Sequence, residues 1–165
     1  MKKIGNTVWF DSPVVIRASA AVVGQKEAEG PLGERFDQRE PDAYFGEKTW
    51  EQAESAMLLR SLELACDKAG LPMERLDYLL SGDLQNQCAG AAYALRNTAR
   101  PYFGLYGACS TMAESLSLGA ILLSAGCAEN CAALTSSHYC TAERQYRFPL
   151  SYGGVRTPTA QWTVT

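Results

Sequence analysis

Cys109 stands in the turn Gly107-Ala108-Cys109-Ser110, directly before an apolar helical stretch that opens at Thr111. A thiol at the start of a helix meets unpaired backbone N–H groups and the positive end of the helix dipole, and both favour the thiolate. That is the geometry of an activated nucleophile. Gly107 and Ala108 leave room for a tight turn and close substrate approach, and no acidic side chain lies within four residues to oppose the thiolate. The competing reading is a small buried residue at a helix start, and the residues alone weigh the two about equally. His138, the only histidine, follows a strand pattern, where its better-supported use is a hydrogen bond to backbone at a sheet edge; a single histidine is a poor start for a triad. Asp83 can fix a polar group of a ligand or cap the next helix, and capping is the commoner use. Ser136 and Ser137 carry the same pair of readings. Arg147, Arg156 and Lys48 are candidate partners for an anionic ligand, although most surface cations only solvate a face.

The elements that must position these residues alternate along the chain. Residues 13–24, β-branched and small between Pro13 and Gly24, predict a first, mostly buried strand, with a short strand at 6–10 ahead of it. Residues 25–48 are charged, Gly- and Pro-rich and without period, which predicts a long excursion or flap. Thr49 followed by Gln52 predicts a helix N-terminus, and Gly70 its stop. At about 100° per residue, Gln52, Arg60, Glu63 and Asp67 fall within about 80°, so most of this helix is covered. Residues 76–83 then predict a strand ending in a polar loop, 87–97 a close-packed helix and 102–106 a third strand. The stretch 111–125, whose only charge is Glu114, predicts a helix wrapped on nearly all sides and ended by Gly126. Residues 131–137 predict a fourth strand, 139–158 a polar stretch, and 160–165 a fifth strand. Alternation of this kind argues for an α/β layer fold with a largely parallel sheet and right-handed crossovers. Ligands of such folds bind beyond the carboxyl ends of the strands. That edge gathers three loops: residues 82–86, 107–110 and 136–138.

Composition narrows the function classes. A chain of 165 residues with 47% hydrophobic and 20% charged residues fits one globular domain. Fifteen Lys and Arg against eighteen Asp and Glu give a net charge of −3, with no basic block to neutralise a run of phosphates, so nucleic-acid binding is disfavoured. The longest weakly polar stretch, residues 116–128, is shorter than the roughly 18 apolar residues a span needs. The N-terminus lacks the apolar region of a signal peptide, which predicts a protein kept inside the cell with its six cysteines reduced. Cys127 and Cys131 have no second ligand pair at zinc-site spacing, so no metal is expected, and five of the six thiols read as buried and inert.

The order of these elements and the Gly-Ala-Cys-Ser turn resemble the N-terminal half of the thiolase-like, ketoacyl-synthase fold along the whole chain. More narrowly, Val8-Trp9-Phe10, the stretch 79–87 with Ser81-Gly82-Asp83-Leu84-Gln85, the turn 106–112 and the closing segment 156–165 resemble the stage V sporulation protein AD family of spore-forming bacteria. The resemblance implies a layered α/β/α half-domain over residues 1–165, with a mixed, mostly parallel five-stranded sheet and the second half absent. It implies a non-enzymatic protein that binds dipicolinic acid and helps move it, with calcium, into the developing spore. Such a protein works beside membrane proteins of the same sporulation group, peripherally on the cytoplasmic side of the spore inner membrane, with no cofactor and no metal centre. Asp83, Cys109, Ser136, Ser137 and His138 are the positions it places around the ligand. A thiolate would repel a dianion, so binding requires Cys109 as a neutral thiol or offset by nearby cations. The alternative is an acyltransferase or condensing enzyme in which Cys109 is the acyl-accepting nucleophile. The His and Asn, or second Cys, of true thiolases come from the other half, so no catalytic residue is expected on the first reading. The fold also implies a homodimer through the strand at 102–106 and an apolar face on the helix after Cys109.

Overall fold

The computed structural model describes residues 1–146; the strand expected at 160–165, and both Arg147 and Arg156, lie outside the described residues. The chain opens with a hairpin of β1 (Lys2–Ile4) and β2 (Thr7–Trp9) turned by Gly5 at φ 59°. β3 (Val22–Gly24), the short helix α1 (Gln25–Ala28) and β4 (Gln38–Glu40) follow, β3 and β4 pairing in parallel. Then come α2 (Trp50–Ala69), β5 (Tyr78–Gly82), α3 (Ala89–Leu95), β6 (Tyr102–Gly104), α4 (Thr111–Ser124), β7 (Cys131–Thr135) and α5 (Tyr139–Tyr146).

The main sheet runs β6-β5-β7, all parallel, with Leu79 opposite Tyr102 on one side and Ala132 on the other. Side chains alternate across it. Leu79 and Leu134 face α2 and α3, in a core with Leu58, Leu62, Leu76, Ala91, Ala94 and Leu95. Leu80 faces α4, which approaches closely because Gly119 sits 3.7 Å from both Leu80 and Cys131 at the point where a Cβ would stand. Helices on both faces of a parallel sheet make the α/β class expected from the alternation.

The end of α2 is set by local chemistry. Thr49 Oγ1 accepts the Gln52 backbone N–H at 3.2 Å, and Gly70, at φ 59°, takes the left-handed conformation that closes the helix.

Several expectations are corrected. The sheet counts three strands among the described residues, not five. Of residues 13–24 only Val22–Gly24 pair, and Val15 and Ile16 are 74% and 73% exposed. β-branched composition favours extended backbone, but a ladder needs a partner strand, and among the described residues no strand pairs with 13–21. The excursion 25–48 contains α1 and β4, tied down where Asp37 accepts from both Lys68 Nζ and the Ala21 N–H. Residues 139–146 are helical, as the Ala-Glu-Arg-Gln run of good helix formers inside them favours. α4 is not wrapped: Met112, Leu116 and Leu118 are each about 41–42% exposed, an apolar face of the kind the resemblance implies. Cys88 alone among the cysteines is buried, while Cys109 and Cys127 are exposed and all six are free.

Leu79→Ala is expected to destabilise the fold by about 2–5 kcal/mol, whereas Val15→Ala should stay within about 0.5 kcal/mol. Gly82→Ala should also be costly, since its Cβ would collide with the Leu105 carbonyl oxygen. Urea unfolding checks all three; a Leu79→Ala loss no larger than that of Val15→Ala would contradict the placement of β5 at the centre.

Candidate functional site

The three loops expected at the carboxyl ends of the strands do meet. The Ser136 N–H donates to the Gly82 carbonyl at 3.3 Å, joining the ends of β7 and β5. The Leu105 N–H donates to the Ser81 carbonyl at 2.8 Å, and the Cys88 thiol donates to the Leu105 carbonyl at 3.1 Å. Tyr106 Oη donates to Asn86 Oδ1 at 2.9 Å, tying the turn before Cys109 to the loop after β5.

Asp83 faces inward. Its two oxygens accept the N–H groups of Gln85 and Ala91, each at 2.7 Å, so it forms the turn after β5 and anchors the first residues of α3. Burial pushes its carboxyl above the ordinary range against the pull of those two bonds. Gly90 is required here, since a Cβ would stand 2.8 Å from Gln85 Nε2 and 3.3 Å from Asp83 Oδ2. His138 is 9% exposed and its Nε2 donates to the Ala43 carbonyl at 2.7 Å, which fixes the Nε2–H tautomer because a carbonyl only accepts. Its Nδ1, like Thr141 Oγ1, is buried without a partner among the described residues. Ser137 lies beside it in sequence and is exposed, as is Lys48.

The centre of this polar region is a residue that sequence reasoning passed over. Glu54, on α2, is 2% exposed and accepts from Gln85 Nε2 and Ser136 Oγ, each at 2.9 Å, and from the His138 backbone N–H. Burial, with a smaller contribution from Asp83, pushes its carboxyl up to about 7 in spite of those three donors. One signal was available: Glu54 falls outside the arc of Gln52, Arg60, Glu63 and Asp67, on the covered side of the helix.

Cys109 is exposed, in a single 3-10 turn of residues Ala108–Ser110 ahead of α4, and Ala108 carries a left-handed φ of 47°. Non-glycine residues there are strained, and such turns concentrate at functional sites. The sequence placed no acid within four residues, but Glu114, five along, folds back: its carboxyl takes the Ser110 hydroxyl and fills the space over Gly107 where a Cβ would stand. A negative group therefore already occupies the anion-favouring end of α4. A separate cleft of about 780 Å³ lies between α2 and α3, lined by residues such as Glu51, Leu59, Gly90 and Tyr93. It shares Gln85 with the loop cluster but none of Asp83, Cys109, Ser136, Ser137 or His138.

A parallel sheet whose strand ends gather an exposed thiol and a buried carboxyl hub defines an α/β domain with a loop-built site at its carboxyl edge. Residues 5–165 match the family model of stage V sporulation protein AD, and the chain belongs to that family. It is 39% identical over 166 residues to stage V sporulation protein AD of Bacillus subtilis (strain 168), an alignment that covers all of this chain and 49% of that relative. The chain thus spans about half the length of the curated relative it matches, and its family is one of sporulation. Among the described residues no helix is long and apolar enough to cross a membrane.

Because the folded state holds the Glu54 proton more tightly than the unfolded chain does, the stability from this group is complete below about pH 4.5 and is lost as pH rises through about 7. From pH 5 to pH 8 the wild type should lose about 2–3 kcal/mol more than Glu54→Gln, measured by urea unfolding. Equal slopes for the two proteins would refute a buried, ionisable Glu54.

Proposed function

We propose that the chain contributes the binding site of a non-enzymatic dipicolinate-binding protein of sporulation, which helps bring dipicolinate, with calcium, into the developing spore. Membership of the family carries this reading, and the convergence of three loops at the carboxyl edge of the sheet supplies a place for the ligand. The side chains nearest to a catalytic role are already committed. Both Asp83 oxygens serve backbone N–H groups, so Asp83 is not set as a base for the Cys109 thiol, and His138 is anchored through Nε2 to the Ala43 carbonyl. Asp83, Cys109, Ser136, Ser137 and His138 surround or support the ligand in this reading. Its partners are membrane proteins of the same sporulation group, approached peripherally from the cytoplasmic side of the spore inner membrane. Self-association uses the outer edge of β6 and the turn that follows it, where Phe103 and Tyr106 are 45% and 68% exposed.

One observation favours a second reading, acyl transfer through Cys109. The exposed thiol on a strained turn at a helix start is the arrangement a nucleophile uses. Mass spectrometry after incubation with acyl-coenzyme A separates the two readings: an acyl adduct on Cys109 supports transfer, and its absence with saturable dipicolinate binding supports the proposal.

Calorimetric titration of the full-length polypeptide with dipicolinate is expected to saturate, and titration with isophthalate, which lacks the ring nitrogen, is expected to give no heat. Glu114→Gln, which removes the resident charge from the α4 N-terminus, should tighten dipicolinate binding by about 2–5-fold. Equal heats for the two acids, or an affinity indifferent to Glu114, would sink this account of the pocket.

A further inference from the structure

We propose that Glu54 is the positioning residue of this pocket: one buried carboxyl on α2 holds Gln85 of the loop after β5 and Ser136 of the loop after β7, and so sets the spacing of Asp83 and His138. This rests on the reading of the loop cluster as a ligand site.

The geometry is a three-way clamp. Gln85 Nε2, Ser136 Oγ and the His138 backbone N–H all donate to a side chain from a different layer of the fold. His138 in turn fastens residue 43 through the Ala43 carbonyl, so the segment between β4 and α2 hangs on the same point. Movement of Glu54 is therefore felt at three separate stretches of chain.

The clamp also has two states. As a carboxylate Glu54 accepts all three donors in charge-assisted bonds, but the cost of burying its charge outweighs them, so the protonated clamp is the tighter state. When it takes up a proton it becomes a donor, and the Ser136 hydroxyl, which can turn and accept, is the partner able to receive it. The backbone N–H of His138 has no such freedom, and the Gln85 amide accepts only if it turns over to present its Oε1. The groups facing Glu54 are few. Asp83 opposes its ionisation and the three donors favour it; the buried His138 ring belongs to one of those donors, and α3, β7 and residues 139–142 of α5 contain no Asp, Glu, Lys, Arg or His. Burial brings the exchange between the two states close to neutrality.

Hydrogen exchange of the full-length polypeptide, corrected for intrinsic rates, tests this without any ligand. Protection of residues 84–88 and 136–142 should fall several-fold between pH 6 and pH 8 in the wild type and stay level in Glu54→Gln. Ser136→Ala, a gentler change, should move the step to higher pH, because it removes a bond that favours the charged form. Dipicolinate affinity measured alongside should fall over the same interval in the wild type only. A level wild-type profile, or a step that survives in Glu54→Gln, overturns the proposal. A step that Glu54→Gln abolishes, in a protein giving no heat with dipicolinate at any pH, supports the Glu54 clamp and refutes the ligand assignment instead. Dipicolinate binding whose pH dependence persists in Glu54→Gln leaves the ligand assignment standing and removes the clamp.

Discussion

Every layer of the fold takes its position from β5, the strand hydrogen-bonded along both edges and covered on both faces. Its ladder fixes β6 and β7 in register, and the alternation of Leu79 and Leu80 sends one large side chain to the α2–α3 layer and the next to α4. A slip of one residue would exchange those faces and bring Ser81 into the place of a core leucine. The same constraint reaches the loops. Gly82 ends the strand against the Leu105 carbonyl and Thr111, so the turn that carries Cys109 can approach only because this position has no side chain.

Beyond the last rung of β5 the interior changes from apolar to polar within two residues. Asp83 is buried there with Gln85 and Glu54, and their cost is met by hydrogen bonds among them and to backbone N–H groups. Removing one partner from such a set leaves the others unsatisfied, so the cluster specifies loop geometry more strictly than apolar packing could. It also explains the division of labour between the two acids. Asp83 is occupied locally by α3 and its own turn, whereas Glu54 reaches across layers to the loops after β5 and β7.

The sequence made the scaffold legible where the signals were local. The Thr49 cap and Gly70 stop, the apolar run at 79–80 and the turn before Thr111 are each decided within a few residues, and each stands where expected. Signals that depend on a distant partner were not legible. Residues 13–21 have the composition of a strand but no partner strand among the described residues, and Glu54 looks like an ordinary helix acid until Gln85 and Ser136 are brought to it. The three loops of the site were foreseen from topology alone, because a parallel sheet places its turns at one edge whatever residues they contain. Their hydrogen-bond assignments were not, since spacing along the chain does not say which way a carboxylate points.

The electrostatics of the Cys109 turn bear on what that edge can hold. Free N–H groups at the start of α4 attract negative charge, but Glu114 already supplies it, held on the Ser110 hydroxyl and folded over Gly107. An anionic ligand arriving here competes with a carboxylate tethered at effectively high local concentration, and it must displace that carboxylate, neutralise it or bring a cation along. Asp83 offers no relief, being another acid turned inward, and Lys48 stands exposed on a different segment. A neutral aromatic or a cation-paired dicarboxylate therefore meets less opposition at this turn than a bare dianion, so charge compensation, more than shape, governs what the carboxyl edge of the sheet accepts.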